Sequence, residues 1–204
     1  MKDLSLERFS IEAASSAPVP GGGGVSGAVG SLAASLAEMV ANLTIGKKKY
    51  LEYTDEFETI IKKLEELRIA LLNSINEDAE AFKPLAEVYS LPKDSKGYEQ
   101  KMESCLRTAA ASPMNIMKLT SKIIDIDERL AVIGSKISVS DAATSIMLAH
   151  GVLYGAYVNI IVNTSLMKDK EYAEKFENEA KTILDDYNKK ALNIYNQILQ
   201  RLKG

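Results

Sequence analysis

Cysteine, histidine and excess positive charge are all scarce in this chain, and each shortage closes off chemistry. A single cysteine, Cys105, among 204 residues cannot form an internal disulfide, so a reducing, cytoplasmic setting is expected. No base stands beside Cys105 in the sequence, and it reads as a buried bystander. The lone histidine, His150, argues against a serine or cysteine triad and reads as a structural residue. No group of side chains has the spacing of a zinc or iron site, so no metal is expected. With 25 basic and 28 acidic residues the formal net charge is -3, which argues against non-specific binding to nucleic acid. The start, Met1-Lys2-Asp3, leads into charged residues with no apolar signal-peptide core. Nor does any stretch alternate as a half-buried strand does.

One long apolar run needs separate treatment. Ala142 to Val162 carries no formal charge apart from His150 and is long enough to span a bilayer. It also holds Ser145, His150, Gly151 and Asn159, with Asn163 just beyond, and lacks a clear aromatic belt. A helix buried inside a helical protein is the expected reading, with no membrane partner.

What is present is helical periodicity throughout. A short helix is predicted over about Ser5–Ser16, with Leu6, Phe9 and Ala13 on one side, ended by Pro18 and Pro20. A small-residue helix follows from Gly24 or Val25 to about Asn42. Thr54 is the expected N-cap of a long helix reaching Tyr89. Its stripe is Ile60, Leu64, Leu67, Leu71, Ile75, Phe82, Leu85 and Tyr89, with a kink or break expected just before Pro84. One seam position in that stripe is filled by an acid, Asp78. After the Leu91-Pro92-Lys93-Asp94-Ser95 turn, a helix from Gly97 to Ala111 is predicted to be interrupted at Ser112-Pro113. Another runs from Met114 to Gly134, with Ile116, Leu119, Ile123, Ile126 and Leu130 inward. Ser138 or Ser140 then caps the apolar helix, up to about Leu166. An amphipathic helix from Asp169 to Leu202 closes the chain. The expectation is an all-α, multi-helix bundle with long antiparallel helices, forming a single domain over residues 1–204.

Candidate chemistry gathers at a few places. Four consecutive glycines, Gly21 to Gly24, fit either a close-packed helix corner or a loop whose amide groups face a ligand at a helix N-terminus. They are not a P-loop, for no Gly-Lys-Ser/Thr follows, and no strand precedes them for a Rossmann turn. Asp78 is either a neutral acid, desolvated and able to donate a proton, or half of a buried salt bridge. Asp141, Ser145, Asn159 and Asn163 form a polar stripe on the apolar helix, and its buried amides either bond neighbouring helices or point into a pocket suited to a flat heterocycle. The basic run Lys47-Lys48-Lys49 is either a solvated corner or a receiver for a ligand carboxylate.

Together these residues resemble the formiminotetrahydrofolate cyclodeaminase family, which includes methenyltetrahydrofolate cyclohydrolases of similar sequence. The resemblance rests on Pro20-Gly21-Gly22-Gly23, the small-residue helix, and Met39-Val40-Ala41-Asn42-Leu43-Thr44-Ile45-Gly46-Lys47-Lys48. It continues through Asp78-Ala79-Glu80-Ala81-Phe82, Leu91-Pro92-Lys93, Ser140-Asp141 and Gly155-Ala156-Tyr157-Val158-Asn159 with Asn163. One departure is Gly24, where the family often has serine. The longer relatives also carry a fused formiminotransferase half, for which 204 residues leave no room.

The resemblance implies ring closure of 5-formimino-tetrahydrofolate to 5,10-methenyl-tetrahydrofolate with release of ammonia, and Asp78 as the catalytic acid. The alternative is the cyclohydrolase reaction, in which water opens the methenyl ring; a non-catalytic helical interaction protein is the more distant alternative. It also implies a homodimer and no cofactor beyond the tetrahydrofolate substrate, which would carry one or several glutamates. A separate formiminotransferase becomes a candidate partner. Gly21, Gly22, Gly23 and Gly24, with Asp141, Asn159 and Asn163, are the expected pterin contacts. Asn42 is grouped with them, and Lys47 and Lys48 are expected to receive the glutamate tail.

Overall fold

Apolar residues three and four apart run from Ile60 to Leu85, interrupted only at Asp78, and the chain forms them into one long helix. The structure, a computed structural model, describes residues 1–203, so the last residue of the expected unit 1–204 lies outside the described residues. Its elements are α1 (Leu6–Ala13), α2 (Gly22–Asn42), a 3-10 helix (Lys48–Tyr53), α3 (Thr54–Tyr89), α4 (Tyr98–Ile133), α5 (Val139–Thr164) and α6 (Lys170–Lys203). No strand occurs among the described residues, and the fold is the all-α bundle of long helices. At 1.5 Å per residue, the 36-residue helices α3 and α4 each extend about 54 Å.

Side-chain pairs fix the register. Asp78 meets Gly23, and Arg68 Nε donates to Glu38 at 3.0 Å, so α2 and α3 are antiparallel. Gly22 faces Asn159 while Ala33 faces Ser145, which sets α5 antiparallel to α2. His150 Nε2 lies 2.7 Å from Asn188 Oδ1, and Thr164 bonds Glu177, so α6 returns along α5. His150 thus serves helix packing, with its ring edge-on to Tyr154.

The small residues of α2 are explained by what lies against them. A Cβ on Gly27 would come 2.6 Å from Ser74 Oγ and 3.0 Å from the Leu71 carbonyl oxygen, too near for α3 to remain in place. Ala33, Ala34, Ala37, Val40 and Ala41 are wholly buried on the same helix. The main core spreads from these onto α3, α4, α5 and α6. A second, smaller cluster of Leu85, Leu106, Ala110 and Met167 lies beyond the N-terminus of α2.

Four local expectations are corrected in whole or in part. The interruption at Ser112-Pro113 does not occur: α4 is continuous through Pro113. Proline loses one backbone bond, but Leu106, Ala109 and Ala110 before it and Met114, Ile116 and Met117 after it are all buried, so packing holds both halves on one axis. Likewise α3 continues through Pro84 to Tyr89. Thr54 is not an N-cap; the 3-10 helix runs straight into α3, and the Thr54 hydroxyl donates to the Leu51 carbonyl at 2.8 Å. The expected inner side of α1 is only half met, for Phe9 is partly buried while Leu6 is 79% exposed.

The apolar run on α5 packs against α2, α4 and α6. Both α2 and α5 are long and apolar enough to cross a membrane, and α5 keeps Tyr154, Val158 and Val162 exposed.

Candidate functional site

The N-terminus of α2, the middle of α3, the Pro113 turn of α4 and the C-terminal half of α5 converge on one cavity. Its volume is about 140 Å³, and its walls include Gly21–Gly23, Asp78, Phe82, Pro113, Asn159 and Asn163. Helix α2 starts here with Gly21 as N-cap and no side chain capping it. The first amides of a helix have no partner within it, and here they open beside an acid. Glycine is required at this place by close approach. An ideal Cβ on Gly23 would fall 2.2 Å from Asp78 Oδ1, and one on Gly22 would fall 2.7 Å from Asn159 Nδ2. The glycine run is therefore a close-packed corner, and Gly21–Gly23 also line the cavity.

Asp78 has no cationic partner within salt-bridge distance among the described residues, so the buried ion pair is not the arrangement found. Burial pushes its carboxyl above the ordinary range near 3.8, against the smaller opposing pulls of the Ser112 hydroxyl and the Gly24 backbone amide. Ser112 Oγ donates to Asp78 Oδ1 at 3.2 Å. Across the cavity, Asn159 Nδ2 donates to the Gly155 carbonyl at 2.8 Å, and Asn163 Nδ2 to the Asn159 carbonyl at 2.7 Å. Each amide nitrogen thus places one of its two protons within its own helix. Neither amide oxygen has a hydrogen-bond donor among the described residues, which leaves two acceptors on the cavity wall.

Not every expected residue comes to this place. Asn42 ends α2, Lys47 follows it, and Asp141 lies in the first turn of α5. Because α2 and α5 are antiparallel, all three sit at the opposite end of the bundle. The 20 residues from Gly22 to Asn42 span about 30 Å, and the 18 from Asp141 to Asn159 about 27 Å. Lys47 Nζ lies 3.4 Å from Ser135 Oγ there, and Lys48 opens the exposed 3-10 helix. Within one subunit Asn42, Lys47, Lys48 and Asp141 are not part of the cavity. Gly24 is not on its wall either; it is buried, and a Cβ there would press on Pro20 Cβ at 3.1 Å. Ser145, read as part of the polar stripe, is wholly buried about 21 Å from Asn159.

Sequence reasoning missed Ser112, hidden in a predicted break, and it missed Asp127. That residue is completely buried on α4. Ser145 Oγ lies 2.9 Å from the Ala33 carbonyl oxygen and 2.6 Å from Asp127 Oδ2. The Ser145 hydroxyl is thus shared between the Ala33 carbonyl on one neighbouring helix and the Asp127 carboxyl on the other. Burial pushes its pKa well above the ordinary range. The signal was available: Asp127 stands four after Ile123 and three before Leu130, another acid on an apolar seam.

A profile of the family described as Formiminotransferase-cyclodeaminase matches residues 5–182. The chain belongs to this family. It is 33% identical over 202 residues to a methenyltetrahydrofolate cyclohydrolase of Methylorubrum extorquens, covering 97% of each chain. It is 28% identical over 189 residues to the formimidoyltransferase-cyclodeaminase of Mus musculus, covering 90% of this chain and 35% of that longer protein. Its fold matches the crystal structure of a formiminotetrahydrofolate cyclodeaminase from Thermotoga maritima with a TM-score of 0.85 and 32% identity, covering 100% of this chain and 98% of that one. Membership makes the chain an enzyme of the folate cyclodeaminase and cyclohydrolase group.

A roomier groove of this family member, about 520 Å³, lies elsewhere, between α3 and α4. It is rimmed by the exposed charges of Lys63, Glu66, Lys122 and Asp125, and no acid is buried in it. The smaller cavity is the one with chemistry.

Proposed function

We propose that this family member hydrolyses 5,10-methenyl-tetrahydrofolate to 10-formyl-tetrahydrofolate, with Asp78 moving the proton and no cofactor beyond the folate itself. The observation that carries this reading is Asp78: a half-buried carboxyl with no cation beside it, facing a partly open cavity of mixed polar and apolar lining. As a carboxylate it takes a proton from water as the water oxygen bonds to the methenyl carbon. As the acid it returns that proton to the ring nitrogen as the carbon–nitrogen bond breaks. The second water proton leaves to solvent as the formyl carbonyl forms. One placed acid–base group is worth roughly a hundred- to ten-thousand-fold in rate. At about 140 Å³ the cavity is smaller than the usual ~300–1,000 Å³ of ligand sites, so it suits the reacting end of a folate, with the remainder extending outward. Gly21–Gly23, Asn159 and Asn163 are the proposed pterin contacts.

Hydrolysis is put ahead of ring closure because the relative named as a cyclohydrolase matches this chain end to end. Ring closure of 5-formimino-tetrahydrofolate is the second reading, favoured by the likeness to the Thermotoga maritima structure. There the other bridging nitrogen attacks the amidine carbon and Asp78 protonates the departing ammonia; a separate formiminotransferase would then supply the substrate. The purified protein should bleach the methenyl chromophore, whereas ring closure would generate it from the formimino compound. Asp78→Asn should keep the fold and lose roughly a hundred- to ten-thousand-fold in kcat. Full activity in that variant would end the assignment.

The proposed assembly is a cytoplasmic homodimer through the apolar face of α2 and α5. Leu32, Val158 and Val162 are 52%, 58% and 58% exposed, and Val162 also lines the cavity, so the face is continuous with the site. A two-fold axis laying α2 antiparallel on its own copy would carry the basic run after one α2 toward the other subunit's cavity. Lys47 and Lys48 could then meet a glutamate tail that they do not reach within one subunit.

A further inference from the structure

Most serine and threonine hydroxyls on these helices bond back to a carbonyl of their own helix, as Ser35 does to Ser31, Thr59 to Asp55, Thr108 to Ser104 and Thr182 to Asn178. Ser112 does not. Its hydroxyl leaves α4 and donates to Asp78 Oδ1 on α3, 34 residues away in sequence. Ser145 makes the same kind of departure toward Asp127. The two pairs differ in surroundings: Asp127 is sealed in the core, whereas Asp78 is on a cavity wall. Among the described residues Ser112 is the only side chain bonded to the Asp78 carboxyl, and Asp78 Oδ2 has no side-chain donor.

We propose that Ser112 is a positioning residue for the reaction, anchoring Asp78 Oδ1 so that Oδ2 is the oxygen presented to the substrate. Apart from the Gly24 backbone amide, nothing else holds the carboxyl about its last torsion, where the preference is broad and roughly two-fold. The anchor is held rigidly, for Pro113 next to Ser112 is buried. The same bond sets proton affinity. A hydroxyl can donate to the ionised carboxyl, which favours that form and opposes the upward push of burial. Ser112 therefore opposes burial and helps the acid give up and regain its proton.

This inference rests on Asp78 being the acid–base group, and the test separates the two. The pH dependence of kcat is measured on methenyl-tetrahydrofolate for the native chain, Ser112→Ala, Ser112→Thr and Asp78→Asn. Ser112→Ala should move the limb governed by Asp78 upward by about one pH unit, the roughly tenfold change in proton affinity expected from losing one hydrogen bond to an ionised group. Its kcat should fall while KM changes less, and Ser112→Thr, which keeps the hydroxyl, should restore both. An unmoved limb in Ser112→Ala, with Asp78→Asn inactive, overturns the role of Ser112 and leaves that of Asp78 standing. An active Asp78→Asn overturns the acid itself. Should Ser112→Ala not fold, Ser112→Cys has nearly the same shape and a weaker donor, and the same upward movement is expected of it.

Discussion

Gly23 shows how one missing side chain can make room for another. Asp78 occupies the space where a Cβ of residue 23 would stand, with the carboxyl atoms 2.2 to 2.5 Å from that point. A graded series follows from the distances alone. Gly21→Ala would meet only the Pro18 carbonyl at 3.7 Å, an ordinary contact, and should leave activity near native. Gly22→Ala meets the end of the Asn159 side chain at 2.7 Å, which can swing aside, so a moderate rise in KM is expected. Gly23→Ala must expel the acid and should approach the Asp78→Asn loss in kcat, with overpacking costing about 1–3 kcal/mol of stability. Steady-state kinetics and thermal unfolding of the three variants check the order; equal effects would mean that the start of α2 yields freely.

At the scale of elements, Asp127 on α4 joins three helices through Ser145 on α5 and the Ala33 carbonyl on α2. A carboxyl whose pKa is higher folded than unfolded holds its proton more tightly in the fold. Stability is then full below the unfolded value, near 3.8, and is lost as pH rises toward the folded value. The slope for one proton is about 1.4 kcal/mol per pH unit. Asp127→Asn keeps a donor for Ser145 and cannot ionise, so its stability relative to the native chain should grow from acid to neutral pH. Urea unfolding of both proteins at several pH values measures this, and parallel pH dependence would contradict a neutral, buried Asp127. Helices α3 and α4 pass through Pro84 and Pro113 for a related reason: buried side chains around each proline outweigh one lost backbone bond.

The whole molecule has two poles. One holds the cavity at the start of α2; the other, about 30 Å away, gathers Asn42, Lys47 and Asp141. Between them, Val25, Leu32 and Met39 recur every seven residues along the exposed side of α2. Leu32→Glu should convert the proposed dimer to a monomer in sedimentation equilibrium and raise KM more for polyglutamylated than for monoglutamylated folate. An unchanged mass would place the subunit contact elsewhere, and a monomeric native chain would remove it.

Much of this architecture was legible in the chain, because helical period and small-residue patterning are local properties. The stripe from Ile60 to Leu85 determined α3, and the acid interrupting it already marked Asp78 as out of place among apolar neighbours. What the sequence could not express is direction. Asp141 and Asn159 share α5, yet only a helix antiparallel to α2 decides that Asn159 meets the glycines while Asp141 lies at the far pole. Ser112 became visible only once α4 continued through Pro113 and lay against α3. Periodicity tells which face of a helix turns inward; which other face it meets, and at what height, depends on contacts between residues distant in the chain.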